Sequence, residues 1–230
     1  ERISSKREAT DLEYAAMIKT ALDMYTLTPK QIDGAIMASV VPTITNTLKR
    51  AIEKLIGIET LVVGPGIKSG LSIRIDNPAQ LGSDLVAEAV GALQEYPLPQ
   101  IIIDMGTATT FSVIDQHGFY VGGMITAGMA ISAEALVRST SQLSKVDFEK
   151  PKKLIGTNTV DCIKSGLMYA TACSIDGMAE RIEAELGQSC TVIITGGLAG
   201  VIKPLCKRGM ILDEDLILKG LLHIYHKNCR

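Results

Sequence analysis

The sequence predicts an α/β fold, built as two successive α/β halves whose mixed sheets are flanked by helices. Three observations carry this reading. Amphipathic helical stripes alternate with short apolar runs along the chain, the pattern of layered α/β proteins. The run Ile101-Ile102-Ile103 is short, β-branched and ends near a glycine, so it reads as a buried central strand rather than a helix. Phe111–Asp115 and Phe119–Ile125 are separated by a His117-Gly118 turn, which predicts an antiparallel pair and hence a mixed sheet.

Taken in order, residues 1–7 read as the tail of an edge strand. Thr10 and Glu13 have capping-box spacing, and Tyr14, Ile18, Leu22 and Tyr25 then form a helical stripe. Residues 32–41 read as a buried strand broken by Pro42. Ile44, Leu48, Ile52 and Leu55 line a second helix that Gly57 closes. Residues 60–63 and 71–75 are short strands. Between them GPGIKSG (64–70) is a turn: Lys68-Ser69 does not follow the glycine a phosphate loop requires, and Pro65 lacks an amide donor. Asn77 and Pro78 occupy favoured N-cap and N1 positions for a helix carrying Leu81, Leu85, Val86, Ala89, Val90 and Leu93. The stiff Tyr96-Pro97-Leu98-Pro99 connection marks the boundary between a first half, 1–96, and a second, 97–230.

Beyond the central hairpin, Gly123 and Gly128 frame a loop into a helix that runs to about Arg138. Thr159 opens the longest helical pattern, with Val160, Ile163, Leu167, Thr171, Ile175, Met178, Ile182 and Leu186 on one stripe and Gly187 at its end. Its length, methionines and small residues suit a core helix or a subunit interface. Residues 191–195 are a buried strand leading to Gly196-Gly197 and a short helix, and residues 213–225 form the last helix.

Bulk properties narrow the function. Of 230 residues, 47% are hydrophobic and 21% charged, which excludes a disordered chain. A net charge of −2 without a basic cluster argues against nucleic acid as the main partner. The long uncharged run from Gln116 to Ala133 contains four glycines and reads as strand–turn–strand, not a membrane span. No signal-peptide pattern is present. Five scattered cysteines lack metal-type spacing and suit free thiols in a reducing cytoplasm. The sequence begins at Glu1 without a methionine, which points to a piece of a longer protein.

The stretch QIIIDMGTATT (100–110) carries the chemistry. A carboxylate at a strand end, Asp104, followed by Gly106 and the hydroxyls of Thr107, Thr109 and Thr110, suits a phosphate site. Glycine permits close approach, amides and hydroxyls donate to anionic oxygens, and the carboxylate can hold a cation. The same residues also fit a strand entering a tight hairpin. Asp84 and Glu88, spaced i, i+4, project from one helix face; taken alone, that pair reads as a solvated acidic face.

With these motifs in view, the sequence resembles the type III pantothenate kinases, members of the actin-like superfamily of acetate and sugar kinases, Hsp70 and actin, whose halves are ribonuclease H-like. The resemblance runs from Arg2 to Lys227. It is carried by NPAQLGSD (77–84), DMGTATTF (104–111), GGMITAG (122–128), IGTNT (155–159) and TGGLA (195–199), in that order. It implies ATP-dependent phosphorylation of pantothenate on its primary hydroxyl, the first step towards coenzyme A, in a cytoplasmic homodimer. By the same resemblance Asp84 is the catalytic base, with Gly82, Ser83, Leu85 and Thr159 at the substrate. Gly106, Thr107, Gly196 and Gly197 would attend the nucleotide, and Asp104 would hold a monovalent cation, K+ or NH4+. Mg2+ would accompany ATP.

The sequence departs from the family pattern in four places. The first hairpin, with its Asp-x-Gly-Asn-Thr turn, has no counterpart here. Leu85 stands where an arginine follows the catalytic aspartate, Ile75 where a substrate-side tyrosine is usual, and Ala127 where a proline is usual. An absent arginine removes a charge-assisted contact worth about 1.5–3 kcal/mol. Three activities stay open on these residues: a pantothenate kinase, a kinase of another small hydroxy acid, and a paralogue acting as a binding or regulatory dimer.

Overall fold

The structure, a computed structural model, describes residues 1–139 and 147–229. Helix α1 (Asp11–Met24) is capped as its sequence predicts: the Thr10 hydroxyl accepts from the Glu13 amide while the Glu13 carboxylate accepts from the Thr10 amide at 2.7 Å. Strand β1 (Ala35–Met37) and strand β2 (Thr60–Val62) form a two-stranded parallel sheet, with helix α2 (Pro42–Ile56) crossing between them and ending at the left-handed Gly57. The other sheet has six strands in the order β3-β6-β5-β4-β7-β8. These are β3 (Ser72–Ile73), β4 (Gln100–Met105), β5 (Ala108–Ile114), β6 (Phe119–Ala127), β7 (Thr191–Thr195) and β8 (Ile211–Leu212). β4-β5-β6 are antiparallel neighbours and the other pairings are parallel, so the sheet is mixed, as expected.

Alternation along β4 divides the core. Ile101, Ile103 and Met105 pack with Met168, Ala172, Ile175 and Ala179 of helix α5 (Thr159–Leu186). Ile102 packs on the opposite face with Ala89 and Ala92 of helix α3 (Ser83–Glu95) and Leu216 of helix α7 (Leu216–Asn228). Asp104 shares the parity of Ile102 and therefore lies on the α3 side. α3 and α7 cross closely through two glycines. A Cβ at Gly91 would sit 2.5 Å from the Leu216 carbonyl oxygen, and one at Gly220 would run into the Ala87 carbonyl. The short helices α4 (Met129–Ser139) and α6 (Ala199–Ile202) complete the set.

Several expectations are corrected. Residues 1–7 form no strand, because the charged run after Ile3 has no alternating apolar face. The 32–41 strand is only three residues long. Its one neighbour, β2, is equally short, and Ser39 turns away to bond with Ser83. The helix expected from Asn77 is two pieces. Asn77 caps a single 3-10 turn, Pro78–Gln80, and Leu81 and Gly82 then become extended before α3 begins at Ser83. The GGMITAG stretch is the end of β6 rather than a loop, so the run from Gln116 is turn, strand and the start of a helix. Asp213 precedes the last helix. Its carboxylate accepts from the Tyr96 hydroxyl, the Lys219 ammonium and the Asp215 amide, and α7 starts three residues later.

Candidate active site

The break before α3 determines where Asp84 stands. It falls in the first turn of α3, at the positive end of the helix dipole, instead of mid-helix. Its Oδ1 accepts from the Leu85 amide at 2.8 Å. A Cβ on Gly82 would lie 2.5 Å from that same oxygen, so a side chain there would displace the carboxylate from its present place. The Ser83 hydroxyl is engaged with Ser39, accepting from its amide at 3.0 Å and donating to its carbonyl at 3.1 Å. Ser39 Oγ in turn accepts from Thr45 Oγ1 at 2.7 Å, which fixes the start of α3 against the start of α2. Leu85 is half-buried.

Asp104 ends up in the middle of a polar row. The register pairs it with Thr110 on β5 and Thr195 on β7. The turn around it is built from glycine. Gly196 has φ +93°, and a Cβ there would collide with Asp104 Oδ1 and come within 2.6 Å of the Met105 nitrogen. A Cβ on Gly106 would meet Asp104 Oδ2 at 3.0 Å. Gly128, at the end of the GGMITAG motif, presses on the Gly106 and Thr107 carbonyls, so two motifs distant in sequence meet at one turn. Thr107 and Gly197 are exposed, and a side chain on Gly197 would touch the Arg2 guanidinium.

Three carboxyl groups converge without a cation from the protein: among the described residues no lysine, arginine or histidine pairs with Asp84, Glu88 or Asp104. Burial, with Asp84 adding, pushes Asp104 up to about 6. Burial, then Asp104, then Asp84, push Glu88 up to about 9. The Tyr120 hydroxyl, 3.2 Å from Ser112 Oγ, is raised by burial with Glu88 and Asp84 adding, against the lowering effect of Ser112. Glu88 is therefore no solvated residue. It is 5% exposed, and the reason is its neighbours: it is the one charged residue between Leu85 and Leu93, on the side of α3 that faces the sheet.

Sequence reasoning missed Glu88 as a site residue, together with Ser39 and Gly128. The interruption of a wholly apolar helix stretch by one carboxylate was the available signal for Glu88. The other two emerge only from tertiary contact, whereas Thr110 was in the expected phosphate site. Two buried polar atoms here, Glu88 Oε2 and Thr110 Oγ1, have no hydrogen-bond partner. Thr159 is not joined to this group: it is exposed at the start of α5, which packs on the sheet's other face, and no hydrogen bond among the described residues links it to Asp84, Glu88 or Asp104.

Asp104 has donors of the kind a hard cation takes. It is a half-buried carboxylate in a glycine cradle, with the unpartnered Thr110 hydroxyl on the neighbouring strand as a second oxygen donor. Among the described residues no group of three or more histidines, cysteines or acids is arranged to hold a metal ion. Beside the start of α3, a cleft of about 330 Å3 is lined by Gly64, Pro65, Gly66, Leu81, Ser83 and Val86. The GPG stretch is a turn, as expected, and forms one wall of that cleft.

Comparison with known proteins identifies the family. The sequence profile of the type III pantothenate kinase family matches residues 1–181. The chain is 39% identical over 227 residues to a type III pantothenate kinase of Halalkalibacterium halodurans, covering 99% of this chain and 89% of the relative. It is 41% identical over 227 residues to one of Bacillus cytotoxicus, covering 99% and 87%. Among solved structures, one described as a Baf family transcriptional activator from Campylobacter jejuni superposes with a TM-score of 0.57 at 18% identity, covering 90% of this chain and 88% of that one. A reductive activator for a corrinoid, iron-sulfur protein gives 0.50 at 13%, covering 97% and 52%. At these identities the likeness shows the fold alone, a mixed α/β architecture. The sequence relatives go further, and they establish that this chain belongs to the type III pantothenate kinase family.

Proposed function

We propose that this chain transfers the γ-phosphoryl group of ATP to the primary hydroxyl of pantothenate, the first step towards coenzyme A. One observation carries the reading: Asp84 at a helix start and Asp104 in its glycine cradle share a site that no basic side chain among the described residues neutralises, in a family of pantothenate kinases. Phosphoryl transfer depends on positioning and charge neutralisation more than on covalent chemistry.

In this reading residues 1–96 and 97–230 form the two halves of the catalytic unit. Asp84 is the base. Its Oδ1 is engaged by the Leu85 amide, which leaves Oδ2 to take the hydroxyl proton. The substrate oxygen bonds to the γ-phosphorus, the bond to the β-phosphate oxygen breaks, and ADP leaves. Gly82, Ser83 and Leu85 flank the acceptor at the start of α3, where Ser83 lines a cleft with room for a small molecule. Gly106, Thr107, Gly196 and Gly197 approach the nucleotide, with the exposed Thr107 hydroxyl as a phosphate donor. Asp104 would hold K+ or NH4+, which when bound offsets phosphate charge. Mg2+ enters with the ATP phosphates, as it commonly does in kinases.

The protein works as a cytoplasmic homodimer in this proposal. An apolar groove of about 440 Å3 between β5, β6 and α5 supports the dimer, as do the exposed Ile125, Ile155 and Val160. Thr159 then contacts the substrate from the interface. No helix among the described residues is long and apolar enough to cross a membrane. The test is ADP release on adding pantothenate, with and without K+. A response to pantothenate and to the cation is expected, and release indifferent to both would reject the reading.

A further inference from the structure

We infer that Glu88 is a positioning residue for phosphoryl transfer, holding the Asp84 carboxylate in its outward orientation from beneath through one buried water. The inference rests on the reading of Asp84 as the base.

Geometry is its foundation. Residues spaced i, i+4 on a helix stand one above the other, so the Glu88 carboxyl lies one turn below Asp84 on the same face of α3. Glu88 is 5% exposed, and its Oε2 is buried with no partner among the described residues. Leaving a buried polar oxygen unpaired is costly, so such an atom is ordinarily paired through a group or water that completes the site. The elements packed around it leave few candidates. α3 supplies Asp84, β4 supplies Asp104, and β6 supplies the Tyr120 hydroxyl, which already meets Ser112. β5 offers the unpartnered Thr110 hydroxyl. α7 brings Leu216, Ile217, Gly220, Leu221 and Ile224 against α3, and its His223 pairs with Glu95 at the far end of the helix rather than with Glu88. No positive charge among the described residues answers Glu88, so a bridge from its carboxyl group to a polar neighbour runs through water rather than an ion pair. Of the acceptors around it, Asp84 is the one on its own helix face.

An unrelated purpose for Glu88 is hard to supply. Leu85 to Leu93 would pack as well with an apolar residue there, and replacing an unpaired buried acid by a well-packed apolar side chain is commonly neutral or stabilising. A carboxyl group in this place therefore acts on its polar neighbours rather than on the core.

The test compares the intact protein with Glu88→Gln, Glu88→Met and Asp84→Asn, measuring pantothenate-dependent ADP formation across pH alongside thermal unfolding. Glu88→Gln keeps a donor of the same shape and should retain wild-type kcat within about twofold. Glu88→Met keeps length and apolar packing, so it folds, yet it should lose roughly tenfold or more in kcat with little change in KM for ATP, as expected for a misaligned base. The acidic limb of its pH–rate profile should also move. Glu88→Met with wild-type kcat and an unmoved acidic limb overturns the inference. If the wild-type protein itself shows no pantothenate-dependent turnover, or Asp84→Asn retains it, the reading of the base fails first and is recognised as a separate failure.

Discussion

Asp84 and Glu88 sit one turn apart on α3 in opposite surroundings: Asp84 at the helix start beside a cleft, Glu88 buried to 5% exposure beneath it. Their relationship follows from a single local event. Gly82 ends the 3-10 turn and restarts the helix, so the first carboxylate emerges at the helix terminus and the second is drawn against the sheet.

Burial of acids makes stability depend on pH. Glu88 rises from the ordinary carboxylate range to about 9 and Asp104 to about 6, so the folded state holds protons that the unfolded state has released. Stability is then greatest below the unfolded values and falls as pH rises through about 6 and on towards 9. Thermal unfolding of the nucleotide-free protein from pH 5 to 9 should show a falling midpoint, and Glu88→Gln should flatten the alkaline part of that fall.

Gly196 is a tightly constrained position of the turn that the proposal assigns to the nucleotide. Its φ of +93° and the closeness of Asp104 and Met105 leave no space for a methyl group. Gly196→Ala should destabilise by about 1–3 kcal/mol and abolish ATP binding. Denaturant unfolding and nucleotide titration check the two parts independently.

The α3–α7 crossing offers a test from outside the site. A Cβ on Gly220 runs into the Ala87 carbonyl, one residue before Glu88. Gly220→Ala should cost about 1–3 kcal/mol of stability through overpacking, and it should lower kcat because it shifts the helix carrying both carboxyls. Unchanged kcat in a folded variant would separate α3 position from catalysis.

As a contrast, Thr10→Ala removes one half of the capping box of α1, distant in contact from the carboxylates. A loss of about 1 kcal/mol is expected, with activity unchanged. Urea unfolding and the ADP assay read both quantities.

What could be read from the sequence follows the range of the forces involved. The capping box at Thr10, the Gly57 and Gly187 helix ends, the β4 strand and the β5–β6 hairpin are set by residues within a few positions of one another, and the structure has them. The failures are tertiary. Asn77-Pro78 is a sound local start signal, but it opens a single turn, and the extended Leu81 and Gly82 separate that turn from α3, whose first turn Ser83 ties to Ser39. Ser39 leaves the strand to reach Ser83, 44 residues away. β8 has only two residues and is created by pairing with β7. For the candidate site, Asp104 and its glycines were legible because a strand-end carboxylate before a glycine turn is a local pattern. Thr110 became a neighbour of Asp104 only through cross-strand register, and Glu88 changed from surface to core only when α3 docked on the sheet.

The most direct test of the central claim is ADP formation by the purified protein with ATP, K+ and pantothenate, run beside Asp84→Asn. The account predicts turnover that requires pantothenate, and a loss of about 10²–10⁴-fold in the variant with its thermal unfolding unchanged. Equal turnover by the two proteins would contradict it.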